Sequence, residues 1–365
     1  MKTLYVHIGM PKTGTTALQQ FLAKNRQALF DHGYIFREMP FHDYSKHLKD
    51  IPKRRNGYFL HGVLEGDPGY DPKSNRQRFE EGTKLIARWF EEKDNVILTD
   101  EVLWKRIMES DWVRDLKTAA DRDGYRTRII VYLRNQADYA DSLYREHVRR
   151  HQITETWEEF RQRILPNLFY MQRLSKLEES FGAENVLVRV YDMKEIGKNG
   201  GTLYGDFAAA IALDWTADLK IPAQLRHESD SRESTEVRRI LNRLVAEAAP
   251  EEKKERNRQI DALFSEENVL PEGGKGYSYF SAEEWSSFMQ QFHDENSRIT
   301  RDFTDRDFLF SEDPGNISKW EPKGEKLLED AVLYLGYAAL AQKTGQETEK
   351  KGSLFQRILR KGNRS

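Results

Sequence analysis

Residues 5–22 read YVHIGMPKTGTTALQQFL. The six residues Thr3–Ile8 alternate and are rich in β-branched side chains, which predicts a strand. Gly9 and Gly14 bound a turn. From Thr15 to about Asp31, Leu18, Phe21, Leu22, Ala28 and Leu29 recur on one helical face. A strand that feeds a glycine-bounded turn and then a helix builds an anion site, because backbone N–H groups and the helix dipole point to one spot. Gly14 lets the backbone approach a ligand closely, and Thr15 and Thr16 add hydroxyl donors. Gly9 and Gly14 have the glycine spacing of the nucleotide loop G-x-x-x-x-G-K-[ST]. Thr15, however, stands where that loop has its lysine, and the lysine lies inside the turn at Lys12. There it can reach a bridging oxygen where leaving-group charge develops.

Working outward, strand and helix signals alternate. Short apolar runs at 33–36, 95–99 (NVILT), 126–133 (RTRIIVYL) and 185–190 predict strands. Residues 75–92, 111–122, 136–150, 166–181 and 202–213 predict helices between and after them. This order predicts an α/β fold, a P-loop-like three-layer sandwich on a central parallel sheet. From Ser231 the strand signal disappears. Val237, Ile240, Leu241, Leu244 and Val245 mark a helical stripe, and 281–300 and 323–341 read as further helices. The expected organisation is an α/β core over 1–222, a helical portion packing on it over 223–346, and a basic tail over 347–365.

Arg134 closes the strand 126–133, and Ser142 follows eight positions later in the next helix. Both are expected at the carboxyl edge of the sheet, where open α/β sheets bind ligands. An arginine with a hydroxyl suits a phosphate monoester.

In these two motifs the chain resembles the sulfotransferases that use 3'-phosphoadenosine 5'-phosphosulfate (PAPS). Met10–Thr16 looks like the family's 5'-phosphosulfate loop. The resemblance implies that Lys12, Thr13, Gly14, Thr15 and Thr16 hold the 5'-phosphosulfate. It gives Arg134 and Ser142 the two roles of the 3'-phosphate motif, and VLVRVYDMKE implies that Tyr191 borders the adenosine. Cytosolic members follow the loop with a tryptophan that stacks on adenine, and this chain has Ala17 there. The similarity covers roughly the first 215 residues. The expected reaction is transfer of a sulfuryl group from PAPS to an acceptor hydroxyl, leaving adenosine 3',5'-bisphosphate, with no metal.

A base must take the acceptor's proton. Glu101, just after the strand NVILT, aligns with the position where cytosolic members carry a histidine, and is the first candidate. The long loop 37–74, rich in glycine, proline, histidine and aromatics, offers His47 as the second, with Glu38 and His42 beside it. The same loop suits stacking on a sugar, so a carbohydrate is the expected acceptor and a small alcohol or phenol the alternative. An ATP-dependent kinase and a non-catalytic nucleotide-binding protein are the rival readings.

The 365 residues carry a net charge of −2, without the basic excess of a nucleic-acid binder. Charged residues make up 32%, and the mean hydropathy of −0.79 predicts a polar, soluble chain. There is no cysteine, which excludes disulfides and thiolate chemistry. The amino terminus reads as a strand rather than a signal peptide, and no apolar run is long enough to span a bilayer. A cytoplasmic, bacterial protein is expected. The tail residues Leu354, Phe355, Ile358 and Leu359 offer at most a weak membrane-surface contact. The basic runs 53–55 and 145–151 read as solvated, and the pair His147 and His151 is discounted as a zinc site because arginines flank it.

Overall fold

The computed structural model describes residues 1–41, 54–63, 70–197, 201–223, 231–246, 249–263, 277–315 and 317–321. These fall into two units. The first comprises 1–136, 167–225 and 291–311; the second comprises 137–166, 226–290 and 312–365. The expected helix at 323–341 and the tail at 347–365 lie outside the described residues.

The first unit is α/β. Five strands, β1 (Thr3–Ile8), β2 (Tyr34–Ile35), β3 (Asn95–Asp100), β4 (Arg126–Leu133) and β5 (Val186–Val190), form one sheet in the order β2-β3-β1-β4-β5. Every neighbouring pair is parallel. Parallel strands covered on both faces read as continuous apolar runs, and β1 is accordingly buried at all six positions. On one face, Tyr5, Ile97, Ile130 and Tyr132 pack with Leu18, Phe21 and Leu22 of helix Thr15–Lys24 and with Leu203 and Phe207 of helix Leu203–Ala210. Helices Pro72–Glu92, Trp112–Asp123 and Met171–Phe181 pack against β3, β4 and β5 and bury Ile86, Leu116 and Leu174.

The chain leaves β1 for one side of the sheet and crosses to the other between β3 and β4. The carboxyl end of β1 is therefore the topological switch point, where open sheets bind ligands. The register Ile8↔Asp100 brings the end of β3 to that point.

The helix expected from Thr15 to Asp31 is broken. It stops at Lys24, and a second helix runs Arg26–Asp31. Asn25 causes the break. Its Nδ2 donates to the carbonyls of Phe21 (2.8 Å) and Lys220 (2.9 Å), and its Oδ1 accepts from the N–H of Lys220 (2.7 Å).

The second unit is mostly helical: residues from Ala137 onward of helix Gln136–Arg150, then Trp157–Ile164, Arg232–Ala246, Pro250–Leu263 and Ala282–Gln290. Strand structure does not end at Ser231, however. Tyr277–Ser278 pairs in parallel with Ser318–Lys319, two residues each, too short to leave a periodic signal. Its core is aromatic, with Trp157 stacked on Tyr279 (4.9 Å between ring centres) and both beside Tyr144. The carboxylate of Glu236 accepts from Tyr144 Oη (2.9 Å), Tyr279 Oη (3.3 Å) and Arg239 Nε (2.7 Å).

Candidate functional site

The loop after β1 carries two residues in the left-handed region, Lys12 (φ 64°) and Gly14 (φ 74°). For a lysine this conformation is strained and persists only where surroundings fix it. Arg134, one residue past β4, supplies that fixation by donating from Nη1 to the Lys12 carbonyl at 3.1 Å. Thr13 is buried, and its hydroxyl donates to the Met10 carbonyl at 2.6 Å, tightening the turn. Thr15, also buried, donates to the same carbonyl at 3.4 Å. Thr16 is exposed. At Gly14 a Cβ would lie 2.5 Å from Leu203 Cδ2 and 3.0 Å from Tyr191 Cε2, so the close approach demands glycine as much as the backbone angle does.

Gly14 is the N-cap of helix Thr15–Lys24 and contributes no side-chain cap. The N–H groups of Thr13, Gly14, Thr15 and Thr16 donate to no acceptor among the described residues. Orphan N–H groups at a helix start are what an anion satisfies.

Tyr191 stands one residue past β5, and the Arg134 guanidinium carbon lies 5.9 Å from its ring centre. The far side of Arg134 is held too, since Tyr170 Oη donates to its carbonyl at 2.9 Å. Lys12, Gly14, Arg134 and Tyr191 are thus brought together at the carboxyl edge of the sheet. Ser142 lies on helix Gln136–Arg150, in the second unit, and is buried.

Glu101 directly follows β3, and its side chain is 40% exposed. Its Oε1 lies 3.4 Å from Arg55 Nη1. The same guanidinium grips the fully buried Asp100 with two bonds, Nε to Oδ2 (3.0 Å) and Nη2 to Oδ1 (2.9 Å). The N–H of Val102 also donates to Oδ1 (2.7 Å), and His61 Nε2 stands 3.6 Å from it. Burial works against the Asp100 charge, yet His61 and Arg55 outweigh it and bring the carboxyl down to about 2. Arg55 is therefore not the solvated residue its basic run suggests. Only 15% of its side chain is exposed, because it ties the segment 54–63 to the end of β3. Nothing in the sequence around 55 marks this role; its partners are 45 residues away.

His47 and His42 lie outside the described residues. Glu38 is ion-paired with Arg26 (3.0 Å). Arg145, also read as solvated, lies 2.8 Å from Asp141, which accepts from Arg232 at 2.5 Å as well. The His147 ring lies 4.7 Å from that of His151, and burial, with the charge of its neighbour, lowers its pKa to about 4. Among the described residues no group of three or more His, Asp or Glu side chains is placed to hold a metal, and no helix is long and apolar enough to cross a membrane.

No protein-family model matches the chain. An uncharacterised protein of Archaeoglobus fulgidus is 26% identical over 191 residues, which is 51% of this chain and 49% of that protein. The match thus spans about half the length of that relative. Among solved structures, a sulfotransferase from Alicyclobacillus acidocaldarius matches 72% of this chain and 96% of its own at 15% identity and a TM-score of 0.37. A score that low assigns no activity. The fold class rests on the parallel sheet itself.

Proposed function

We propose that this protein is a sulfotransferase that moves a sulfuryl group from PAPS to an acceptor hydroxyl. One observation carries the reading. Lys12 sits inside a strained turn, its carbonyl clamped by Arg134, beside four N–H groups without acceptors at a helix start. The loop suits a 5'-phosphosulfate held by Thr13, Gly14, Thr15 and Thr16. Arg134 is assigned to the 3'-phosphate, and Tyr191, against Gly14, to the adenosine.

The reaction is a single in-line displacement. The acceptor oxygen forms a bond to sulfur as the bond from sulfur to the 5'-phosphate oxygen breaks. The electron pair stays on that oxygen, where Lys12 and the backbone donors stabilise it. The hydroxyl proton passes to Glu101, whose partial exposure keeps it accessible; His47 is the second candidate. The acceptor is assigned to a carbohydrate, on the aromatic and histidine content of the loop 37–74.

An acidic residue at the end of the strand beside the loop is the place from which P-loop NTPases hold magnesium. Asp100 has that place, but Arg55 occupies both of its oxygens. This favours a metal-free donor over ATP.

Calorimetric titration with adenosine 3',5'-bisphosphate in EDTA, beside ATP with magnesium, tests the reading. Metal-free binding of the bisphosphate that is lost in a Lys12→Ala/Arg134→Ala variant is the expected result. Indifference to the bisphosphate with magnesium-dependent ATP binding overturns it.

A further inference from the structure

Among the described residues β5 is the last strand of the sheet, and a cavity of about 440 Å³ lies beside it in the first unit, lined by Leu187–Val190, Ala209, Ala210, Thr304 and Arg128 among others. This volume lies in the lower range of small-molecule sites. None of the residues assigned above to PAPS or to the base lines it.

Three arginines, Arg126, Arg128 and Arg189, project from β4 and β5. Arg126 Nε donates to Asn185 Oδ1 at 2.5 Å. Arg189 lines the cavity but is neutralised by a two-bond pair with Asp206, whose Oδ2 also accepts from Tyr132 Oη at 2.7 Å. Arg128 is different. It makes no hydrogen bond or ion pair with any described residue, and its Nε is buried without an acceptor. Arg128 as a whole is only partly buried, so its charge still meets water, but a buried N–H without an acceptor is unfavourable, and an acceptor in the cavity would satisfy it. The remaining charged groups on the wall, Asp305 and Arg306, are exposed and of opposite sign. With Arg189 and Asp206 paired, Arg128 supplies the uncompensated charge. Ala209, Ala210 and Ala212 contribute only small side chains to the cavity wall.

We infer that this cavity is a second ligand site, which takes a small oxyanion, a carboxylate or a sulfate, on the guanidinium of Arg128. The guanidinium fork matches two oxygens of either group.

The test follows the Nε–H resonance of Arg128 by NMR in the full chain, assigned by its loss in Arg128→Lys, while sodium sulfate or sodium acetate is added. The expected result is a saturating shift with at least one of the two. A response to acetate alone identifies a carboxylate site, and a response to sulfate alone a tetrahedral oxyanion. Ala209→Trp, which fills the cavity from an exposed helix position and leaves Arg128 in place, is expected to weaken binding by roughly tenfold or more. The Lys12→Ala/Arg134→Ala variant is expected to respond as the unaltered chain does, which separates this site from the donor site. Indifference of the resonance to both salts, or a response unchanged by Ala209→Trp, overturns the inference.

Discussion

Arg134 donates a hydrogen bond from Nη1 to the carbonyl oxygen of Lys12, 3.1 Å away. The residue assigned to one end of the donor thus sets the backbone of the residue assigned to the other. Substituting Arg134 is expected to act on both. Arg134→Lys keeps the charge but loses the fork, and affinity for adenosine 3',5'-bisphosphate should fall roughly tenfold to a hundredfold. Lys12→Ala leaves the carbonyl in place. It should lower kcat by about 100-fold or more while changing bisphosphate affinity less. Calorimetry and steady-state kinetics on the two variants check the split. Equal effects of Lys12→Ala on binding and turnover contradict the leaving-group role.

Gly14→Ala is expected to destabilise the protein by about 1–3 kcal/mol, since φ of 74° suits glycine and the new methyl meets Leu203 and Tyr191. Urea unfolding measures it. A loss confined to a few tenths of a kcal/mol would mean that the turn relaxes freely, against the close packing seen here.

Asp100→Asn removes the charge that compensates Arg55 within the segment it anchors. Breaking one side of a buried pair costs about 3 kcal/mol. The ion pair also has a pH signature. The Asp100 carboxyl lies near about 2, below the 3.8 of an unperturbed aspartate. Its contribution is therefore complete above about pH 4 and is lost as pH falls toward 2. Acid unfolding monitored by circular dichroism should be less steep in that window for Asp100→Asn than for the unaltered chain.

His7 gives a separate pH signature. It is fully buried on β1, with Nδ1 2.9 Å from Thr99 Oγ1 and its ring edge-on to Tyr132 and Phe207. Burial lowers its pKa from 6.5 to about 4, against the pull of Asp100. The unfolded chain takes up this proton first, so stability is full above pH 6.5 and declines as pH falls toward 4. The single site accounts for about 3 kcal/mol of that decline. Comparing unfolding free energies at the two pH values, His7→Phe should show a smaller decline. An identical decline in both proteins would reassign it.

The sheet is largely legible because β1, β3 and the second half of β4 are buried on both faces and β5 alternates, and the expected bounds of β1, β3 and β4 agree to within a residue. The turn was readable because Gly14 and the unusual position of Lys12 are local. What escaped is set by distant partners. Asn25 breaks a continuous helical pattern by bonding to Lys220, and Arg55 leaves a basic run to grip Asp100. The helix Trp157–Ile164 was missed despite a full capping box, Thr156 with Glu159, that its sequence carries openly. Its apolar face is only two buried residues wide, Phe160 and Ile164.

The hydrogen bond that Tyr170 makes to Arg134 has a consequence for synthesis on the ribosome. The N–H of Tyr170 is itself held by Glu295 Oε1 at 2.5 Å, and Gln136 Nε2 by Asn296 Oδ1 at 2.8 Å. A nascent chain has the whole turn by residue 16, yet the frame around Arg134 waits for residues 295 and 296. From the completion of β5 at Val190 until residues 295 and 296 are made, all five strands exist without that last brace. Truncations before Glu295 should therefore emerge as proteins that retain parallel-sheet structure but hold Arg134 loosely, a partly built state on which chaperones act.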